Sequence, residues 1–400
     1  MVQYKIYIYY LISIINFLLF MTTIKKNNLK NSNLDTNIYN IRELEESTII
    51  TIIINGTEEN AKIISDSYET FPNHVYINDN FEVDYGNRNI INITEPGPNK
   101  IVMIWDTKIK KALNMFNGCS SIISIDLSKF DVSTITTMKE MFLSCSSLVS
   151  INLTNFDTKA CKNMNNMFKG CSSLESLDLS FFNTAAVTNM NGMFTECSSL
   201  KFLDLSSFDV SNVKNFEKIF SNCNSLTSIE LSNFETKSAT NMNGVFLNCP
   251  SLLYLNLTSF DTSQVTNMNS MFKNCSSLKE LYIPNFVTSS NYNTNEMFCG
   301  CSSLLKLDIS NNFDTSLVSN MKSMFKDCES LTSLDLSSFN TNSVNNMEMM
   351  FFGCNSLTSL NLYNFYTNSL KTMGHLFNGC QSLEYLNISN FNTALAKNMA

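Results

Sequence analysis

One cysteine recurs at Cys119, Cys145, Cys171, Cys197, Cys223, Cys249, Cys275, Cys301, Cys328, Cys354 and Cys380, and no other feature constrains the fold as tightly. The step is 26 residues except from Cys301 to Cys328, where it is 27. The extra residue falls in DISNNFDT, where the other copies hold a single residue between Ser and Phe, so it sits in a turn and the register recovers at once. A period of this length marks one supersecondary unit per copy. Such a unit cannot bury its apolar face alone, so the copies must stack into a solenoid.

Phasing the copies on the cysteine shows what each one contains. Phe stands three residues before it in all eleven copies, from Phe116 to Phe377. Phe stands again eleven residues after it (twelve in the insertion copy), from Phe130 to Phe391. Between the two, Leu174, Leu177 and Leu179 show the pattern that places alternate residues on one face of a short strand. Val187, Met190, Met193 and Phe194 follow at spacings of three and four, which predict one or two helical turns. Each copy therefore reads as a short parallel strand, a turn and a short helical arc. Eleven coils at about 4.8 Å give a rod roughly 50 Å long, curved because the strand side is thinner than the helical side.

Composition narrows the partners. A net charge of −8, with no cluster of Lys or Arg, argues against a nucleic-acid surface. With 11 Gly and 5 Pro in 400 residues, the turns must be made by Asn, Asp, Ser and Thr.

The flanks differ from the array. Residues 6–24 are uncharged and end at Lys25 and Lys26, which predicts export through residues 1–24 as a signal peptide or signal-anchor, against a buried element of a cytosolic protein. Residues 25–46 read as a polar linker. In 47–114, STIITIIING, HVYIND, NIINIT and KIVMIWD read as short strands forming a β-rich cap over the open end of the array. The array itself spans 115–400, and Met399 stands 26 residues after Met373, so the sequence stops inside a twelfth copy and a continuation is expected. Six sequons, at Asn55, Asn92, Asn152, Asn256, Asn274 and Asn387, permit glycosylation but arise readily in an Asn-rich chain.

The segments MFKNCSSL and FDTSQVTNM carry a resemblance. They are similar to the 26-residue repeat of the BspA-like leucine-rich-repeat surface proteins, over about residues 115–400. The preceding KIVMIWDTKIKKALNMFNGCSSI resembles that family's entry segment. The resemblance implies a leucine-rich-repeat solenoid of α/β-type coils and a role at the cell surface, where adhesion to host or matrix is the usual assignment. It implies no ligand, because the family has no shared binding motif.

Three rows could hold chemistry. The phased cysteines, with Cys161 at a core position and Cys299 at a variable one, read as a buried ladder of reduced thiols; inter-coil disulfides or a metal are the alternatives. Seven residues after each cysteine stand Asp126, Asn152, Asp178, Asp204, Glu230, Asn256, Tyr282, Asp308, Asp335, Asn361 and Asn387. Lying between inward leucines, they face outward on the strand. They read either as a contact row for protein or glycan or as the polar half of any half-exposed strand, with ladders between coils. Phe202, Tyr254 and Tyr385 interrupt a mostly Ser row beside it and are candidate anchors. The third row, Asp131, Asp157, Asp209, Asp261 and Asp314 with Asn183, Asn340 and Asn392, reads as Asx turns or helix N-caps, with calcium as the sharper alternative.

Nothing points to catalysis or a cofactor: the histidines are His74 and His375, and no copy concentrates unusual residues. Two readings follow. The favoured one is an exported surface or secreted protein that binds a host or matrix protein or glycan through the concave strand face. Its centre would be Asp126, Asn152, Asp178, Phe202, Asp204, Glu230, Tyr254, Asn256, Asp308 and Asp335. A membrane would be met only through the N-terminal segment or a C-terminal anchor. The other reading is an architectural cell-coat or intracellular scaffold protein without a specific ligand.

Overall fold

The computed structural model describes residues 47–79, 89–283, 286–287, 293–309 and 313–397. The export segment 1–24, the linker 25–46, the insertion at 310–312 and Met399 lie outside the described residues. The fold is a solenoid. Its N-terminal unit contains β1 (Thr48–Asn55), β2 (Glu58–Lys62), β3 (His74–Ile77), β4 (Ile90–Ile93) and β5 (Pro98–Trp105). The four β-branched segments read from sequence are β1, β3, β4 and β5. The fifth, β2, is EENAK, whose polar composition hides a strand that pairs with β4.

The coils supply eight further strands: β6 (Ile122–Asp126), β7 (Ser150–Asn152), β8 (Phe202–Asp204), β9 (Ser228–Glu230), β10 (Glu280–Ile283), β11 (Lys306–Ile309), β12 (Ser359–Asn361) and β13 (Tyr385–Asn387). Successive coil strands pair in parallel and in register one copy apart, as in Leu203↔Ile229 and Leu281↔Leu307. β1 lies between β5 and β6 and is antiparallel to both, so it occupies the edge of β6 that no earlier coil fills. One apolar core runs from Ile50 and Trp105 through to Leu376 without a break.

Two rows of phenylalanine define that core. The rings three residues before the cysteines stack face to face from Phe116 to Phe377, with centroids 5.2–5.9 Å apart. The thiols form the adjacent row and are all free. From Cys145 to Cys380, each Sγ–H donates to the carbonyl of the Phe one coil back, as Cys145 does to Phe116 O at 3.1 Å. Burial pushes these thiols up, those of Cys145, Cys197, Cys249 and Cys301 to about 12. The insertion leaves the row intact: Cys328 Sγ reaches Phe298 O at 3.2 Å across 30 residues where other copies span 29.

The helical arc requires correction, because no helix occurs among the described residues. Val187, Met190, Met193 and Phe194 are all buried, but their backbone is a chain of tight turns. Two residues per coil, five before and one before the cysteine, have left-handed φ in all eleven copies, for example Asn166 (53°) and Gly170 (74°). A left-handed residue ends an α-helix, and here two fall four residues apart within the segment where the helix was expected. The amides then alternate. Asn166, Phe168 and Gly170 donate to Asn191, Met193 and Thr195 of the next coil, while Met167, Lys169 and Cys171 close local turns three residues back. The curvature argument, which needed a helix thicker than the strand side, lapses with the arc. A second parallel ladder joins the coils instead, at Thr137, Asn163, Asn189, Asn215, Asn241, Asn267, Asn293, Asn320, Asn346 and Thr372.

Candidate functional site

The strand face is a surface whose side chains can change without entering the core. In most coils the inward side chains, such as Leu203 and Leu205, are buried, and the residue between them is the more exposed one. Asp126, Asp178, Asp204, Glu230, Asn256, Asp308 and Asp335 are exposed, and Asn152 is half-buried. All therefore lie in the single row expected from the alternation. Neighbours in the row touch only locally: Asn152 Nδ2 donates to Asp126 Oδ1 at 3.0 Å, and Ser150 Oγ to Ser124 Oγ at 3.0 Å.

The row has a second task. Asp178 Oδ1 accepts the Ser180 amide at 2.9 Å, and Asp204, Glu230, Asn256 and Asp335 each accept the amide two residues on in the same way. These are Asx-type turns, and at Asp204 and Glu230 they follow directly on the strand. The Ser337 amide and hydroxyl hold the Asp335 carboxyl below its ordinary value. One carboxylate oxygen is thus committed to the turn and the other faces outward.

The third row makes the same turn. Asp131, Asp157, Asp209, Asp261 and Asp314 accept the amides of Ser133, Lys159, Ser211, Ser263 and Ser316 at 2.8–3.1 Å. With no helix to cap, the Asx turn is its recurring local role. The calcium alternative gains nothing from the geometry: among the described residues, no three His, Cys, Asp or Glu side chains converge on a common point.

Sequence reasoning missed two rows. The Asn of VTNM (Asn163, Asn189, Asn215, Asn241, Asn267) accepts the amide two residues on, at 2.9–3.0 Å, beside the second ladder. The Thr after the third row (Thr158, Thr184, Thr236, Thr262, Thr341, Thr367) is buried and donates to a carbonyl of the next coil, as Thr158 does to Asn183 O at 2.8 Å. Its signal was the near-invariance of Thr among the copies.

The aromatic anchors divide. Phe202 is half-buried, whereas Tyr254 and Tyr385 stand out in solvent. Leu253, Tyr282 and Leu305 are exposed on the same face and were not singled out as anchors. The two histidines are far apart in the fold. His74 lies in β3, 3.3 Å from Asp106, and His375 is an exposed left-handed turn residue of the last described coil.

The family model described as "Mycoplasma protein of unknown function, DUF285" matches residues 110–228, 148–254, 222–330, 246–361 and 305–400, which together take in the whole coil array. The chain belongs to the DUF285 family. No curated protein matches it. Among solved structures it is similar to a leucine-rich repeat protein from Bacteroides ovatus, at 19% identity and a TM-score of 0.35, covering 83% of this chain and 90% of that one. A leucine-rich repeat protein from Eubacterium ventriosum follows at 13% identity and a TM-score of 0.30, covering 64% of this chain and 82% of that one. The DUF285 match and the coil geometry agree on where the repeats lie: the cysteine-phased coils begin within a few residues of the match and run through Phe391 inside it.

Proposed function

We propose that this DUF285 chain is a non-catalytic binding protein that engages a protein or glycan partner through its strand face, displayed at the cell surface or secreted. The observation that carries the reading is the contrast within one coil. The Phe, Cys and Leu rows repeat almost without change, while the outward row and the residues two and three before it vary and present solvent-exposed Leu253, Tyr254, Tyr282 and Leu305. Exposed apolar side chains clustered on a polar surface mark contact sites. The uncharged stretch at 6–24 supports export, and the resemblance to BspA-like surface proteins supports adhesion. β1, laid along β6, supports the N-terminal unit as a cap for the array.

The competing reading, an architectural scaffold without a ligand, draws on the Asx turns, which give the outward row a structural task.

The test keeps those turns. Asp178→Asn, Asp204→Asn and Glu230→Gln together remove three charges but retain the acceptor oxygens. Binding of the full chain to host cells and to immobilised matrix is compared with that of a Lys162→Glu, Lys214→Glu control on the opposite ladder. The expected result is weaker binding for the strand-face variant alone, with both variants folded by circular dichroism. Loss in the control alone would place the contact elsewhere. No binding by the unaltered chain in either assay would favour the scaffold.

A further inference from the structure

The array is not equally well built along its length. The reading that no copy concentrates unusual residues fails at one place, the coil from Ser276 to Cys301. Seven residues before the cysteine, the coils from Met138 to Met373 carry Met, or Phe at Phe216, and this coil alone carries Thr294. Three residues earlier, where the others hold Ile, Val, Leu, Ala or Cys, stands Asn291, which lies outside the described residues. This is also the one coil in which neither the outward row nor the third row holds Asp, Asn or Glu, since Tyr282 and Val287 take those places. Pro284 stands where the outward row of other coils finds the amide it accepts, and proline has none to give. The groups that make both recurring Asx turns are therefore missing from its sequence.

The cost falls on the core. Thr294 shares a row with Met268 one coil back and Met321 one coil on, and all three are fully buried. Its Oγ1 has no hydrogen-bond partner, whereas the buried Thr158 donates to Asn183 O at 2.8 Å. A buried hydroxyl left unpaired forfeits the hydration it had in the unfolded chain. A side chain shorter than methionine also gives up contact with both neighbours in the row.

The side-chain ladder beside it stops at the same coil. Asn295 Nδ2 donates to Asn269 Oδ1 at 3.0 Å, and Asn269 Nδ2 donates to Asn243 Oδ1 at 3.1 Å. On the other side the row continues with Lys322, whose Nζ donates to Glu348 Oε2 at 3.1 Å, and the buried Asn295 Oδ1 has no partner. These amides thus tie the coil to the one before it and not to the one after. Among the described residues three buried side-chain oxygens are unpaired, and two of them belong to these neighbours, Thr294 and Asn295. The other contacts pass through: Phe298 stacks at 5.6 Å on Phe272 and 5.5 Å on Phe325, and its amide donates to Met324 O at 2.9 Å. The rod is continuous at this coil but more weakly held.

In a stack where each coil is held by its neighbours, the weakest interior coil decides where cooperativity divides. We propose that the coil from Ser276 to Cys301 is a built-in joint, at which the interior of the array opens first and on either side of which it unfolds as two separate blocks. This goes beyond the strand-face reading and does not depend on it.

Hydrogen exchange on the full chain reads the joint directly. The amides of Met297, Phe298 and Cys299 should exchange about tenfold or more faster than those of Met193, Phe194 and Thr195, which make the same bonds in a regular coil. Urea unfolding should show two transitions. Thr294→Val removes the unpaired hydroxyl without adding length, and Thr294→Met restores the row. The valine variant should slow exchange at Met297, Phe298 and Cys299 and draw the two transitions together, and the methionine variant should do so further where the row accepts its length. Met190→Thr, which plants the same defect in a regular coil, should speed exchange at Met193, Phe194 and Thr195. Equal exchange at the two coils of the unaltered chain, or a single urea transition, overturns the joint. Faster exchange in Thr294→Val overturns it as well, because the hydroxyl would then be shown to hold the coil.

Discussion

Within each coil, the turn segment that ends at the cysteine and the strand that follows it are built to different standards. The turn side repeats without exception: stacked Phe, two left-handed residues in every copy, and amides bonded alternately within the coil and to the next one. The strand side is looser. Eight of the eleven coils carry an extended strand, and those of Asp178, Asn256 and Asp335 do not. The difference teaches where specification and variation lie: the turn side fixes the stack, which leaves the strand side free to differ from coil to coil and to carry recognition.

The severest way to break this contrast is to shift its phase. Deleting residues 193–218 removes one whole copy and should leave a folded, shorter rod, because Phe220 would then stack on Phe168 much as Phe194 does at 5.9 Å. Deleting half of that copy sets a strand against a turn and should abolish cooperative unfolding at that point. Equal loss of melting temperature in both would refute the nearest-neighbour picture.

Alkali probes the turn side through its thiols. The row thiols are neutral in the folded state with values raised by burial, to about 12 at Cys145, Cys197, Cys249 and Cys301, against the ordinary 9.0 when unfolded. For a raised thiol the unfolded chain ionises first. Stability is therefore complete below about pH 9 and falls between there and about 12, by up to about 1.4 kcal/mol per pH unit for each thiol. Denaturant midpoints measured from pH 7 to 10.5 should decline from pH 9, and thiol titration should show reaction only as the chain unfolds. A flat profile, or two or fewer free thiols in unfolded, unreduced protein, would contradict the buried ladder.

A single ring sharpens the contrast further. Phe194, fully buried between Phe168 and Phe220, should cost about 3–5 kcal/mol as Phe194→Ala. Ser176→Ala on the exposed strand face should stay within about 0.5 kcal/mol. Urea unfolding of the two variants gives the ratio directly.

The period, both Phe rows, the buried cysteines and the outward row were legible because apolar phase survives any backbone that keeps side chains on one face. The helical arc was misread for the same reason. Turns of right-handed residues closed by a left-handed one also bring side chains together at spacings of three and four, so Val187, Met190 and Met193 cannot tell the two apart. The residue before the cysteine could have: it is Gly, Asn or Asp at Gly118, Gly170, Asn222, Asn248, Asn274, Gly300, Asp327, Gly353 and Gly379, the types that tolerate positive φ. The position five before carries a weaker signal, with Asn114, Asn166, Gly192 and Gly244 alongside Glu140, Lys218 and Met349, whose φ is 56–58°. On the strand face, Leu253 and Leu305 were hidden by their surroundings, since a leucine in a leucine-rich repeat reads as core until its exposure is known.

The smallest effect separates the two tasks of the outward row. Asp178 closes its turn by accepting the Ser180 amide at 2.9 Å, and Asn256 makes the same bond to Thr258 at 3.1 Å. The turn therefore needs an oxygen at this place but no charge. Asp178→Asn should leave stability within about 0.3 kcal/mol, because the acceptor remains and the group is exposed. Asp178→Ala should cost about 0.5–1 kcal/mol, because the Ser180 amide must turn to water. If both variants weaken partner binding alike, the carboxylate itself makes the contact. If only the alanine variant does, the row acts by holding the turn in shape, and the recognition lies with other exposed side chains of this face, Tyr254 and Tyr282 among them.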